Sequence, residues 1–176
     1  MTFTPSQLSD REAIRDVALR YCRGVDRLDE ALMKSAYWPE ATDHHGSYQG
    51  NAMTFAEHCM VAHLPWRATQ HCITNHSIEL DADASHATGE IYNLTYLFRK
   101  DAEVLDTWWG RYLDRYEKRH GEWRIIERIC VHEGTRSAPI RDAMPIDAAR
   151  FIQGAVDRGG DRGADSRPLG PRGVAP

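Results

Sequence analysis

Residues 69–81 read TQHCITNHSIELD, and the fold turns on how this run is read. β-Branched and apolar residues alternate with polar ones, which is the period of a strand half-buried against a core. In an unbroken strand His71, Ile73 and Asn75 share one face, and Cys72, Thr74, Ile78 and Leu80 share the other. His71 then occupies a position that an apolar residue would normally fill. It can be a hydrogen-bonded core histidine, a metal ligand or a proton-transfer base. His76 has the opposite parity in that register, so the two imidazoles are poorly placed to share a metal.

Three more runs of the same character follow: residues 86–100, 103–119 and 122–136. They are separated by the short polar segments DADAS, KDAE and RHGE, so the second half of the chain is expected to be a four-stranded meander. The first half is helical. SDRE at residues 9–12 has the form of a capping box, with Ser9 as N-cap after a loose lead-in. Ile14, Val17, Ala18, Tyr21, Val25 and Leu28 follow at helical spacing. DEALMKSAYW predicts a short second helix ended by Pro39, and ATDHHGSYQG a short strand entering a Gly-bounded turn. MTFAEHCMVAHL predicts a third helix that stops before Pro65. Helices first and antiparallel strands afterwards argue for the α+β class.

With 176 residues, 41% of them hydrophobic, the chain suits one domain with a substantial core. The expected boundaries are 1–156 for the folded domain and 157–176 for a flexible Gly/Pro/Arg-rich tail, with IDAARFIQGAV as a short docking helix before it. A net charge of −4 and no basic segment argue against nucleic acid. No apolar run reaches the roughly 20 residues that span a bilayer, and the N-terminus lacks the pattern of a secretory signal. Cys22, Cys59, Cys72 and Cys130 form no CxxC pair, so reduced thiols in a cytoplasmic protein are expected, with no metal site.

Two further positions stand out. Asp26 continues the ridge Ala18–Cys22–Asp26, on the flank of the first helix's apolar stripe. Arg128 sits in the last strand between Ile126 and Cys130 if the alternation is regular. A buried guanidinium keeps its charge, so it must pair with a helix carboxylate or face an anion. Tyr21 is a core aromatic whose hydroxyl wants a partner. His44 and His45 are placed in a turn, and His58 and His63 are five apart on a helix, off the spacing that lets two imidazoles share zinc.

REAIRDVALRYCRGVDRLDE, TQHCITNHSIELDADASHATGEIY and RYEKRHGEWRIIER together resemble the SnoaL-like branch of the fold shared with nuclear transport factor two, over roughly residues 9–135. The resemblance implies a cone-shaped α+β barrel, with a curved antiparallel sheet wrapped against N-terminal helices around an apolar pocket. It implies a lyase or isomerase without metal or organic cofactor, acting on a hydrophobic, possibly polycyclic small molecule. By the motifs, His71 maps onto the family's base, Asp26 onto its orienting aspartate, and Tyr21 and Arg128 onto groups that stabilise an oxyanion or protonate a leaving hydroxyl. Leu94 or nearby apolar residues stand where the bile-acid branch has a further carboxylate. Strand parity and aromatic content assign the pocket wall to Tyr37, Phe55, Leu94, Tyr96, Trp108 and Tyr112. The same fold also serves as a non-catalytic binder of a small ligand and as an assembly subunit, as in ring-hydroxylating dioxygenase β-subunits. Exposed aromatics such as Trp109 suit homo-oligomerisation through the sheet.

Overall fold

Helix α1 (Pro5–Arg27) begins four residues before Ser9. The capping box is Thr4 with Gln7, not Ser9 with Glu12: Thr4 accepts from the Gln7 amide, Gln7 returns a bond to the Thr4 amide, and Pro5 fills the first turn. The helix thus gains a turn before Ser9, and its buried face reaches back from Ile14 to Asp10. The Asp10 carboxylate accepts from Lys118 Nζ (2.6 Å) and Trp123 Nε1 (2.9 Å), which fastens the start of α1 to the sheet. These are properties of a computed structural model that describes residues 2–140 and Asp147. The expected tail and docking helix lie outside the described residues.

Helix α2 is short (Glu30–Lys34), capped by the Asp29 side chain. The chain enters strand β1 (Tyr37–His45) without ending at Pro39. β1 breaks register between Tyr37 and Thr42, which accommodates the proline where a ladder donor is not required. Gly46 (φ 67°) turns the chain into β2 (Tyr48–Asn51), and α3 (Ala52–Ala62) follows directly, capped by Asn51. The meander is β3 (Trp66–Leu80), β4 (His86–Arg99), β5 (Val104–Arg119) and β6 (Glu122–Pro139). His120 and Gly121 both have positive φ (51° and 84°), the geometry of a two-residue hairpin that matches strand twist.

The strands form one curved, unclosed sheet in the order β2-β1-β6-β5-β4-β3. Its pairings are antiparallel except for β1 against β6, which run parallel, a mixed sheet rather than the expected antiparallel one. α1 packs across β3 and β6, and α3 packs against β1 and β2, so the core lies between helices and concave sheet. No described helix is long and apolar enough to cross a membrane.

Two bulges correct the expected strand faces. In β3 the partners shift between Ile73 (opposite Asn93) and His76 (opposite Ile91), so one extra residue is absorbed there. His76 and Ile78 thereby join His71 on the inner face. In β6 the shift between Glu127 and Ile125 absorbs Ile126. Trp123 and Ile125, not Arg124 and Ile126, then share the buried face with Arg128.

Gly24 is the close-approach point of α1 and α2. A Cβ there would lie 2.5 Å from the Met33 backbone nitrogen, which the chain cannot move cheaply. Gly24→Ala is expected to lower unfolding free energy by about 1–3 kcal/mol, as overpacking does, in spite of alanine's better helix propensity. Urea denaturation followed by circular dichroism measures this.

Candidate active site

The C-terminal turn of α1 meets β3 at a single carboxylate. Asp26 Oδ1 accepts from His71 Nδ1 (2.6 Å) and Thr69 Oγ1 (2.9 Å), and Oδ2 accepts from the His71 amide (2.9 Å). All three donors come from one stretch of β3. A carboxylate that accepts from a hydroxyl and an amide is an acceptor toward the ring as well, so Nδ1 carries the proton and Nε2 is left with its lone pair. Both side chains are largely shielded from solvent.

His71 opens on a cavity of about 180 Å³ lined also by Tyr21, Val25, Phe55, Cys59, His63 and, at its far side, His45, Tyr48 and His58. Burial pushes the Cys59 thiol up to about 12, with the Asp43 charge adding to it, so this sulfur stays protonated. Burial likewise keeps Tyr21 well above the ordinary tyrosine range, as a neutral phenol.

Arg128 is fully buried. It makes a bidentate pair with Asp114 on the neighbouring strand (Nε–Oδ1 2.7 Å, Nη2–Oδ2 2.6 Å) and not with a helix carboxylate. Its guanidinium carbon lies 4.3 Å from the Tyr21 ring centroid and 4.2 Å from that of Tyr112, two cation–π contacts to rings set edge-to-face with each other, in a desolvated setting. Arg128 Nη1 has no hydrogen-bond partner among the described residues. Arg128 is not among the residues lining the cavity; it stands behind Tyr21.

The expected wall divides. Phe55 lines the cavity. Tyr37 is buried behind it, its hydroxyl on Asp43 (2.6 Å), and Tyr112 packs edge-on against Tyr21. Trp108 shares the inner face of β5 and stacks toward Tyr112 (6.5 Å). Leu94 and Tyr96 alternate with the buried Asn93 and Thr95 and so occupy the outer face of β4; Leu94 pairs with the exposed Trp109. Alternation separates the two faces of β4 but does not say which one is inner; the buried Ile91, Asn93 and Thr95 decide it, against the expectation drawn from aromatic content. Asn93 is the polar group on the inner face, donating to Tyr112 Oη (2.7 Å).

His45 does not lie in the expected turn: it ends β1, and its Nδ1 is 3.0 Å from Asp43 Oδ1. The visible signal was the alternation Asp43-His44-His45 before Gly46, which puts Asp43 and His45 on one face. Four histidines (45, 58, 63 and 71) therefore line the cavity. They do not converge on a point: among the described residues, the group that brings three ligand atoms within 4.8 Å is Asp81, Asp83 and His86, all exposed in the β3–β4 turn.

Comparison with known proteins gives a consistent picture. A family model for the SnoaL-like domain matches residues 6–129. The chain is 28% identical over 149 residues to gamma-hexachlorocyclohexane dehydrochlorinase of Sphingobium indicum, covering 79% of this chain and 91% of that protein. Among solved structures, a type-2 hexachlorocyclohexane dehydrochlorinase superposes with a TM-score of 0.66 at 25% identity, covering 78% of this chain and 95% of the other. A protein provisionally named a scytalone dehydratase, from Novosphingobium aromaticivorans, superposes with a TM-score of 0.70 at 17% identity, covering 82% and 98%.

Behind the site, Asp114 also accepts from Tyr116 Oη (2.6 Å), which lies 3.4 Å from His76 Nε2. Burial, helped by the charges of Arg15, Arg128 and Arg11 and opposed by Asp114, lowers His76 from 6.5 to about 4. Between those values the unfolded chain binds the extra proton, so stability falls as pH drops from 6.5 to about 4. Asp10 and Asp106 sit below their ordinary 3.8, and their losses come below this window. His76→Asn is expected to flatten the dependence between these pH values in urea melts, and an unchanged slope would assign it to other groups.

Proposed function

The chain belongs to the SnoaL-like family, and from that premise and the cavity's geometry we propose that it is a lyase that removes a proton from carbon with His71 as general base. The observation that carries this reading is the 2.6 Å contact of His71 Nδ1 with Asp26, at the wall of a cavity of about 180 Å³. Asp26 fixes the tautomer that leaves Nε2 free to act as a base, and its charge stabilises the imidazolium formed in the transition state. Tyr21, held neutral at the cavity wall, is the donor for developing negative charge on a substrate oxygen. Arg128 acts through Tyr21: it is a positioning residue that holds the ring and places a fixed positive charge behind it. The chemistry is elimination or isomerisation by side chains alone, on an apolar substrate. The dehydrochlorinase relatives make a halogenated ring one substrate class, and β-hydroxy ketones make the other.

The outer sheet face exposes Tyr92, Trp109 and Ile129. This supports self-association through the sheet, a separate proposal that analytical ultracentrifugation tests.

With γ-hexachlorocyclohexane and a panel of β-hydroxy ketones as probes, His71→Ala is expected to lower turnover by about 10²–10⁴-fold, the usual range for loss of a general base. Asp26→Asn should be similarly severe, and the double variant no worse than the more severe single one, because both groups serve one proton transfer. Circular dichroism must show each variant folded, since Asp26 also ties α1 to β3. Near wild-type turnover by folded His71→Ala would end the reading.

A further inference from the structure

A second histidine–carboxylate pair faces the same cavity, and nothing in the proton abstraction by His71 uses it. Asp43 is inside the protein, with a side chain that has no solvent exposure. A carboxylate so placed needs donors, and the described residues supply two: Tyr37 Oη (2.6 Å) and His45 Nδ1 (3.0 Å). Neither Lys nor Arg pairs with Asp43 among the described residues, so of its two donors there His45 is the one that can carry a positive charge. The His45 ring is stacked on Phe55 (centroids 4.7 Å, 25° between planes) and lies 5.8 Å from Tyr112. With Nδ1 turned to Asp43 and the ring face on Phe55, Nε2 is the atom left for a ligand. β1 and α3 therefore build this pair, whereas α1 and β3 build the other, and both line one cavity.

We propose that His45, oriented by Asp43, is the general acid of the reaction and that the leaving group is a hydroxyl, which makes the preferred substrate a β-hydroxy carbonyl compound. This rests on the reading of His71 as the base. A chloride departs as a stable anion and needs no proton. Hydroxide is a poor leaving group, and its departure requires protonation as the C–O bond breaks. A site with a base and a separate acid matches the second requirement and is superfluous for the first.

The step balances as follows. His71 is neutral and His45 is an imidazolium, with one N–H on Asp43 and the other toward the substrate. His71 Nε2 takes the proton α to the carbonyl. The C–H electron pair becomes the new C=C π bond, directly or through an enolate held by Tyr21. The C–O pair leaves with oxygen, which takes the Nε2 proton of His45 and departs as water. His71 ends as imidazolium and His45 as neutral imidazole. Exchange of one proton between them and solvent resets the site.

A matched pair of probes tests this: 4-hydroxy-4-(4-nitrophenyl)butan-2-one and its 4-chloro analogue, which eliminate to the same chromophoric enone. In His45→Gln, whose amide can still donate to Asp43, turnover of the hydroxy ketone should fall about 10²-fold further than that of the chloro ketone, since both probes share any change in the cavity wall. Asp43→Asn should show the same selectivity at smaller size, with both variants confirmed folded by circular dichroism. Equal losses on both probes, or an undiminished rate on the hydroxy ketone, would overturn the role of His45. His71→Ala should slow both probes; if it slows neither, the parent reading fails, and that result is distinct from failure of this one.

Discussion

The Asp26 carboxylate is the constraint on which the site depends. Burying a carboxylate costs several kcal/mol unless its lone pairs are met, and here a backbone amide, a hydroxyl and an imidazole meet them. Because two of these donors belong to His71, the bond that satisfies the charge also fixes where α1 ends relative to β3 and which way the imidazole faces. Leu28 in the left-handed region (φ 49°) then stops the helix just beyond it, with its amide returned to the last turn. Shifting Asp26 one residue along the helix would rotate it about 100° away from the strand. Tertiary alignment and the orientation of the imidazole are thus set by the same atoms.

The Arg128–Asp114 pair plays a different part. Buried ion pairs often contribute little net stability compared with apolar residues of similar size, since the desolvation penalty offsets the attraction. Its consequence here is geometric. The guanidinium is clamped by two bonds to Asp114 and lies against the rings of both Tyr21 and Tyr112, which meet edge-to-face. Tyr21 is therefore fixed from behind, while Tyr37 packs on it at 78° from the side. An apolar replacement would fill the volume but would lose the cation–π contacts that hold the ring. Asp114 extends the same network through Tyr116 to His76, so the polar groups behind the cavity form one connected set.

The legible part of the sequence was periodic. The α1 ridge, the four strand runs and the RHGE hairpin stand in the structure with boundaries shifted by a few residues. His71 and Asp26 were legible because an ionisable residue in an apolar register is conspicuous. What escaped was aperiodic. A bulge adds one residue without changing composition, so alternation could not show that His76 joins the inner face or that Ile126 leaves it. Two capping boxes stand five residues apart, and local chemistry does not choose between Thr4–Gln7 and Ser9–Glu12. Asp10 is helical under either cap, and its bonds to Lys118 and Trp123, partners more than a hundred residues away, are contacts that no local pattern displays. His45 was hidden by its neighbours: His-Gly reads as a turn, and the strand runs one residue further only because His45 pairs with Tyr48 across the β1–β2 hairpin.

The two histidine pairs differ in a way that suits opposite tasks. Asp26 accepts three bonds and holds a ring that is 9% exposed, whereas Asp43 accepts two and holds a ring that is 25% exposed. A base that attacks carbon gains from exclusion of water, because water solvates its lone pair and would supply competing protons. An acid gives up a proton in every cycle and must recover it from outside. On the roles proposed for the two rings, the shielded imidazole at the junction of α1 and β3 serves as base, and the wetter one at the end of β1, beside the Gly46 turn, serves as acid. Exchanging the two environments would leave a base diluted by solvent and an acid that recovers its proton slowly. The difference in burial is what the proposed division of labour requires of the site.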